Sequence, residues 1–238
     1  MPIVALTNFA SAIIATATAF LIRQRLLTEN REMTDVLMRD FFKAFVSLAI
    51  LFWLLALPGL FIRNILLASI PPRLATGMVL LTSAYFISTP LLILNKGQVR
   101  KILQLTAICM GILFIVIDFY FFKLSSVKTY GDFFYYAPSQ LIFVRAITGA
   151  ASLLSALASG LFFIAHGTRL DSRQLKTRSL LLGSGFLLFT TSSIFNYIVF
   201  SISFNTVALI AASTSGLLGM VLLGIGVIAY HPSEKRLV

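Results

Sequence analysis

Apolar side chains occupy this chain in seven long runs, roughly 3–25, 41–62, 75–95, 102–123, 141–166, 180–203 and 206–230, with the charged side chains gathered between them. Each run is close to the roughly 20 residues that a helix needs to cross a hydrocarbon core. A lone span in lipid must satisfy its own backbone hydrogen bonds, so the runs are predicted to be helices. The pattern predicts an all-α integral membrane protein, a single domain over residues 1–238 built as a seven-helix transmembrane bundle. No basic stretch or cleavage site precedes the first run, which is therefore expected to be a retained helix and not a signal peptide.

Lysine and arginine divide unevenly between the two sets of connections. Arg23, Arg25, Arg31, Arg39, Lys43, Lys96, Arg100, Lys101, Arg169, Arg173, Lys176, Arg178, Lys235 and Arg236 fall on one side, 14 of the 19 bases. The other side has Arg63, Arg73, Lys123, Lys128 and Arg145. Basic loops stay in the cytoplasm, which predicts the N-terminus outside and the C-terminus inside, with a bacterial inner (plasma) membrane as the expected location. Two connections have character. Residues 27–40, LTENREMTDVLMRD, read as a short helix on the cytoplasmic surface. Residues 124–140 concentrate Tyr130, Phe133, Phe134, Tyr135 and Tyr136, either an interfacial aromatic belt or a lid over an outer pocket.

Composition supports the membrane reading. The chain is 58% hydrophobic and 11% charged, with mean hydropathy +0.96, whereas soluble domains are about 45–50% apolar and about 25% charged. The net charge of +11 arises from bases at span ends, so no nucleic-acid partner is expected. Cys109 stands alone, which excludes an intrachain disulfide, a CxxC pair and a thiolate metal cage.

Within the runs, small residues recur at four-residue spacing: Ser11, Ala15 and Ala19 in the first, Ser152, Ala156 and Gly160 in the fifth, Ala212 and Gly216 in the seventh. Such rows let helix backbones approach closely, within one chain or between the protomers of an oligomer. Runs two to four carry bulkier side chains. Pro58 and Pro90 are expected to kink their helices and to free the carbonyls of Leu54 and Phe86. Arg145, Thr148, Ser152, Ser155 and Ser159 form one stripe along run five; run six offers Thr190, Ser193 and Tyr197 at a similar spacing, with Asn196 alongside, and run three contributes Tyr85, Ser88 and Thr89 near mid-membrane. Hydroxyls gain nothing from facing lipid, so the stripes are expected inside the bundle, either hydrogen-bonded between helices or lining a hydrated cavity or solute path.

Asp118 is the only acid within a run, about 7–8 Å short of the outer end at Lys123. Arg145 stands at matching depth with opposite sign. The two are expected either to pair, with Arg63 as a substitute base, or to form with Asn196, Tyr197 and Ser213 the polar floor of a pocket open to the outside. Other chemistry is missing. His166 and His231 both lie near cytoplasmic span ends, unsuited to haem ligation or to serving a serine nucleophile at mid-span, and no His/carboxylate cluster exists for a metal. No catalytic residue, metal or cofactor is expected, and the protein is read as non-enzymatic.

Residues 85–95, YFISTPLLILN, are similar to the third-helix pattern of the microbial rhodopsins, an aromatic followed by Thr-Thr-Pro-Leu-Leu, and the seven runs and their polarity resemble that family too. The resemblance implies a seven-helix bundle but not retinal. The seventh run has no lysine for a Schiff base, and Ala84 occupies the place of the family's acid. The same architecture resembles the seven-helix sensor modules that precede bacterial histidine kinases and cyclases. The sequence therefore leads to a receptor-like sensor or scaffold in contact with the bilayer, with a polar outer pocket and a cytoplasmic partner at 27–40 or 168–179. The alternative is a small-solute or ion transporter, or a channel, that uses the stripes of helices five and six.

Overall fold

The computed structural model describes residues 3–28, 32–59, 61, 64–130, 133–137, 141–199 and 206–228. Its helices are α1 (Ile3–Thr28), α2 (Glu32–Ala56), the short α3 (Ile65–Ser69), α4 (Pro71–Ile93), α5 (Gly97–Tyr120), α6 (Ile142–Thr168), α7 (Arg173–Ile194) and α8 (Thr206–Ile228). Seven helical stretches are long and apolar enough to cross a membrane, α3 and α4 together making one of them. The protein is thus an integral membrane protein in its architecture, with outward apolar faces suited to lipid. On α5, for example, Ile102, Leu105, Ile108, Ile112 and Val116 are all exposed along one side.

Six helices close into a ring in the order α1, α2, α4, α6, α7, α8, with α8 returning to pack on α1. The fifth, α5, lies outside the ring against α4 and is the least buried of the seven. Ring interior and lipid face differ in side-chain type. Aromatic rings from α2, α4, α6 and α7, including Phe52, Phe86, Phe163, Phe186 and Phe189, fill the core with Leu48, Met220 and Leu223. The small residues provide the close approaches. Ser11, Ala15 and Ala19 are buried. A Cβ at Gly160 would stand 3.2 Å from the carbonyl of Gly183, and one at Gly219 would stand 2.9 Å from that of Gly185. These rows are occupied by helices of the same chain. Gly183 and Gly185, two residues apart on α7, face opposite neighbours, α6 and α8.

Three expectations change. First, α4 and α5 also cross on glycines, since a Cβ at Gly111 would come 3.2 Å from the Gly77 carbonyl; the bulk of the surrounding Leu, Ile and Phe hid this pair. Second, residues 27–40 are not a separate surface helix. They are the end of α1 and the start of α2, residues 29–31 lying outside the described part. Leu27 and Val36 are exposed, while Met38, one turn before the apolar run proper, already belongs to the core. Third, Pro58 does not kink α2 but ends it: the α-helix stops at Ala56 and a 3-10 turn, Leu57–Gly59, follows. Its missing N–H and its bias against helix in the preceding residue act together with Gly59 to stop the span. The 124–140 connection carries a hairpin. Strands β1 (Ser126–Tyr130) and β2 (Phe133–Ala137) pair antiparallel, Ser126 opposite Ala137 and Tyr130 opposite Phe133. The β-branched Val127 and Thr129 of one strand and the aromatic run Phe133–Tyr136 of the other have high strand propensity. β2 reaches α1, so the hairpin lies across the end of the ring.

Candidate functional site

At the end of the bundle where α1 begins, the ring encloses a cavity of about 200 Å³. Its walls combine apolar residues (Val4, Phe52, Leu55, Val79, Leu217) with polar ones (Thr7, Asn8, Ser11, Thr76, Arg145, Thr148, Ser192, Asn196, Tyr197, Ser213). Four of the five residues expected as an outer polar floor, Arg145, Asn196, Tyr197 and Ser213, are brought together here, with Thr148 of the stripe beside them.

Local structure explains how they meet. At its C-terminal end α7 widens into a π-helical turn, Phe195–Val199, which carries Asn196 and Tyr197. Wide turns of this kind re-aim side chains and recur at functional sites. The Tyr197 ring lies on Gly149 of α6, where a Cβ would be 2.6 Å from the ring. Arg145 Nη2 donates to the Asn196 carbonyl at 3.2 Å, tying the start of α6 to this turn. Ser192 donates to the Ala212 carbonyl of α8 at 2.8 Å, and Asn8 of α1 reaches the Leu55 carbonyl of α2 at 3.4 Å. Among the described residues, Arg145 makes no other hydrogen bond, and no carboxylate lines the cavity.

Asp118 is not in this cavity, and the expected Asp118–Arg145 pair is not formed. Asp118 is 2% exposed on the ring's outer flank and faces Arg73, itself 1% exposed. The Arg73 guanidinium donates through Nε to the Asp118 carbonyl at 3.3 Å and also to the carbonyls of Ser69 and Lys123. It covers the Phe122 ring at 4.1 Å. The cation thus stands at the C-terminal carbonyls of α5, where the helix dipole favours it. Oδ1 of Asp118 accepts the Leu141 N–H at 3.4 Å, just ahead of α6, while Oδ2 has no hydrogen-bond partner among the described residues. Depth matched, as the sequence indicated, but direction did not. Val144 packs towards α5 with Phe114 and Leu80, and Arg145, one residue on, is turned about 100° away towards α7. The substitute base, Arg63, lies outside the described residues.

Below the cavity the hydroxyl stripes are spent on hydrogen bonds. Ser152 and Ser193 share one at 3.0 Å between α6 and α7, Ser155 donates to the Ser152 carbonyl, and Thr190 to that of Phe186. Ser159 donates at 2.9 Å to the Phe86 carbonyl, the group that Pro90 frees one turn later. Ser88 bonds Ala84 and accepts from Gln104 of α5 at 2.9 Å. Tyr85 and Thr89 line a smaller void of about 10 Å³, near the lower limit for one water at about 10–15 Å³. Between the two spaces stand the rings of Phe52, Phe189, Phe86 and Phe186, each 4.8–6.3 Å from the next. A further ion pair that the pattern did not suggest joins Arg100 of α5 to Asp40 of α2 at 2.6 Å. Asp40 stands at the end of the 27–40 segment in sequence but is buried in α2.

Ring and cavity define a polytopic helical membrane protein with a polar recess at one end. No protein-family model matches the chain, and no curated protein matches it either.

Proposed function

We propose that this protein is a non-enzymatic, receptor-like membrane protein that holds a small polar ligand in the cavity at its outer face and signals to a cytoplasmic partner. The observation that carries this reading is a recess open at one end of the ring and closed on the other side by packed rings. A binding site needs such a dead end, whereas a solute path needs continuity. Arg73, Lys123 and Arg145 lie toward the cavity end, and the sequence assigns five of the 19 bases to that set of connections against fourteen to the other, which supports an outer position for the cavity. The exposed Arg169, Arg173 and Lys176 at the α6–α7 turn offer the partner a basic surface.

Reconstitution into proteoliposomes tests the reading. Purified protein is expected to bind some member of a panel of small polar solutes saturably without accumulating any in the lumen, and Ala212→Phe, which fills the cavity, is expected to abolish that binding. Lumenal accumulation would favour transport, and binding by no solute would overturn the proposal.

A further inference from the structure

Among the described residues that line the cavity, Arg145 carries the one full charge. Arg145 has five N–H donors and a fixed planar fork, of which one nitrogen bonds the Asn196 carbonyl. Among the described residues, the walls supply no acid to balance it. Arg145 is half-buried and its bond to Asn196 is exposed, so the rest of its donor fork is accessible to a molecule that enters the cavity. Elsewhere in this protein the half-buried cation Arg100 meets a carboxylate from the chain itself. Arg145, by contrast, meets no carboxylate among the described residues, which leaves its fork suited to an anionic ligand. The rest of the wall sets the shape of what can supply it. Leu55, Val79 and Leu217 are apolar, and about 200 Å³ is below the about 300–1,000 Å³ typical of drug-sized sites.

From this we infer that the cavity binds a small organic monocarboxylate, its carboxylate engaged by Arg145 and its apolar body against the aliphatic wall. Guanidinium and carboxylate match as paired donors and acceptors, which an ammonium would not reproduce. The inference rests on the ligand-binding reading above and specifies its ligand class.

Isothermal titration of the full chain in detergent or nanodiscs tests it with matched probes: butanoate, hexanoate and benzoate against butanamide, hexanamide and benzamide, and against butylamine. The carboxylates are expected to bind at least tenfold tighter than the amides. Arg145→Gln is expected to erase that ratio, and Arg145→Lys to retain part of it. Because the wild-type comparison of acid with amide is decisive alone, misfolding of a variant does not blunt the test. Equal binding of acids and amides, or preference for the amine, overturns the carboxylate inference and leaves the ligand-binding reading standing. Binding of none of the probes, with other small polar solutes still bound, overturns the inference alone; binding of no solute overturns both.

Discussion

Two arginines near one end of the bundle behave differently because of where their side chains point. Arg73 is enclosed and surrounded by carbonyls at the end of α5, with Asp118 beside it. Removing one member of such a buried group leaves the other unsatisfied, so Arg73→Met is expected to cost about 3–5 kcal/mol of stability. A double-mutant cycle read by denaturant unfolding should give coupling between Arg73 and Asp118 above 0.5 kcal/mol and none beyond about 0.5 kcal/mol between Arg145 and Asp118. The reverse result would restore the pairing that depth alone suggests. Gly149 offers a second test. Val in its place must displace the Tyr197 ring, so Gly149→Val should destabilise by about 1–3 kcal/mol and should weaken ligand binding even at temperatures where the variant stays folded.

At the scale of single helices, much was legible in the hydrophobic pattern. Run lengths near the width of a bilayer locate spans well because lipid leaves few alternatives to a helix. The pattern could not locate where polar side chains pair. Asp118 and Arg145 are adjacent in depth, but azimuth around each helix depends on which neighbour it meets, and only the ring order decides that. The site was partly legible: Arg145, Asn196, Tyr197 and Ser213 share one face of the bundle by helical spacing, whereas the π turn that aims two of them has no sequence signature among Phe195–Val199. Pro90 shows a local rule reaching across helices. It frees the Phe86 carbonyl, and Ser159 of α6 satisfies it. Ser159→Ala is expected to lose about 0.6 kcal/mol, at most about 1.7, and adding Pro90→Ala, which restores an internal donor, should recover part of that loss in thermal unfolding. An unchanged stability for Ser159→Ala would show this bond to be idle.

The whole molecule depends on α8 closing against α1. Gly224 sits beside Thr18, where a Cβ would be 3.0 Å from its hydroxyl. With Cys109 replaced by Ala, Thr18→Cys with Gly224→Cys should therefore cross-link on mild oxidation, and the oxidised protein should melt higher than the reduced one. Failure to cross-link in the membrane would contradict the ring order.

That same closure bears on biogenesis. Helices leave the ribosome in order, yet α1 needs a neighbour nearly two hundred residues downstream. Until α8 has emerged, α1 and α7 present Ser11, Ser192 and the cavity's polar flank to lipid or to the insertion machinery. Chains stalled or truncated before Thr206 should consequently be clients of membrane chaperones and quality-control proteases, while the α6–α7 hairpin, built from sequence neighbours, is already assembled.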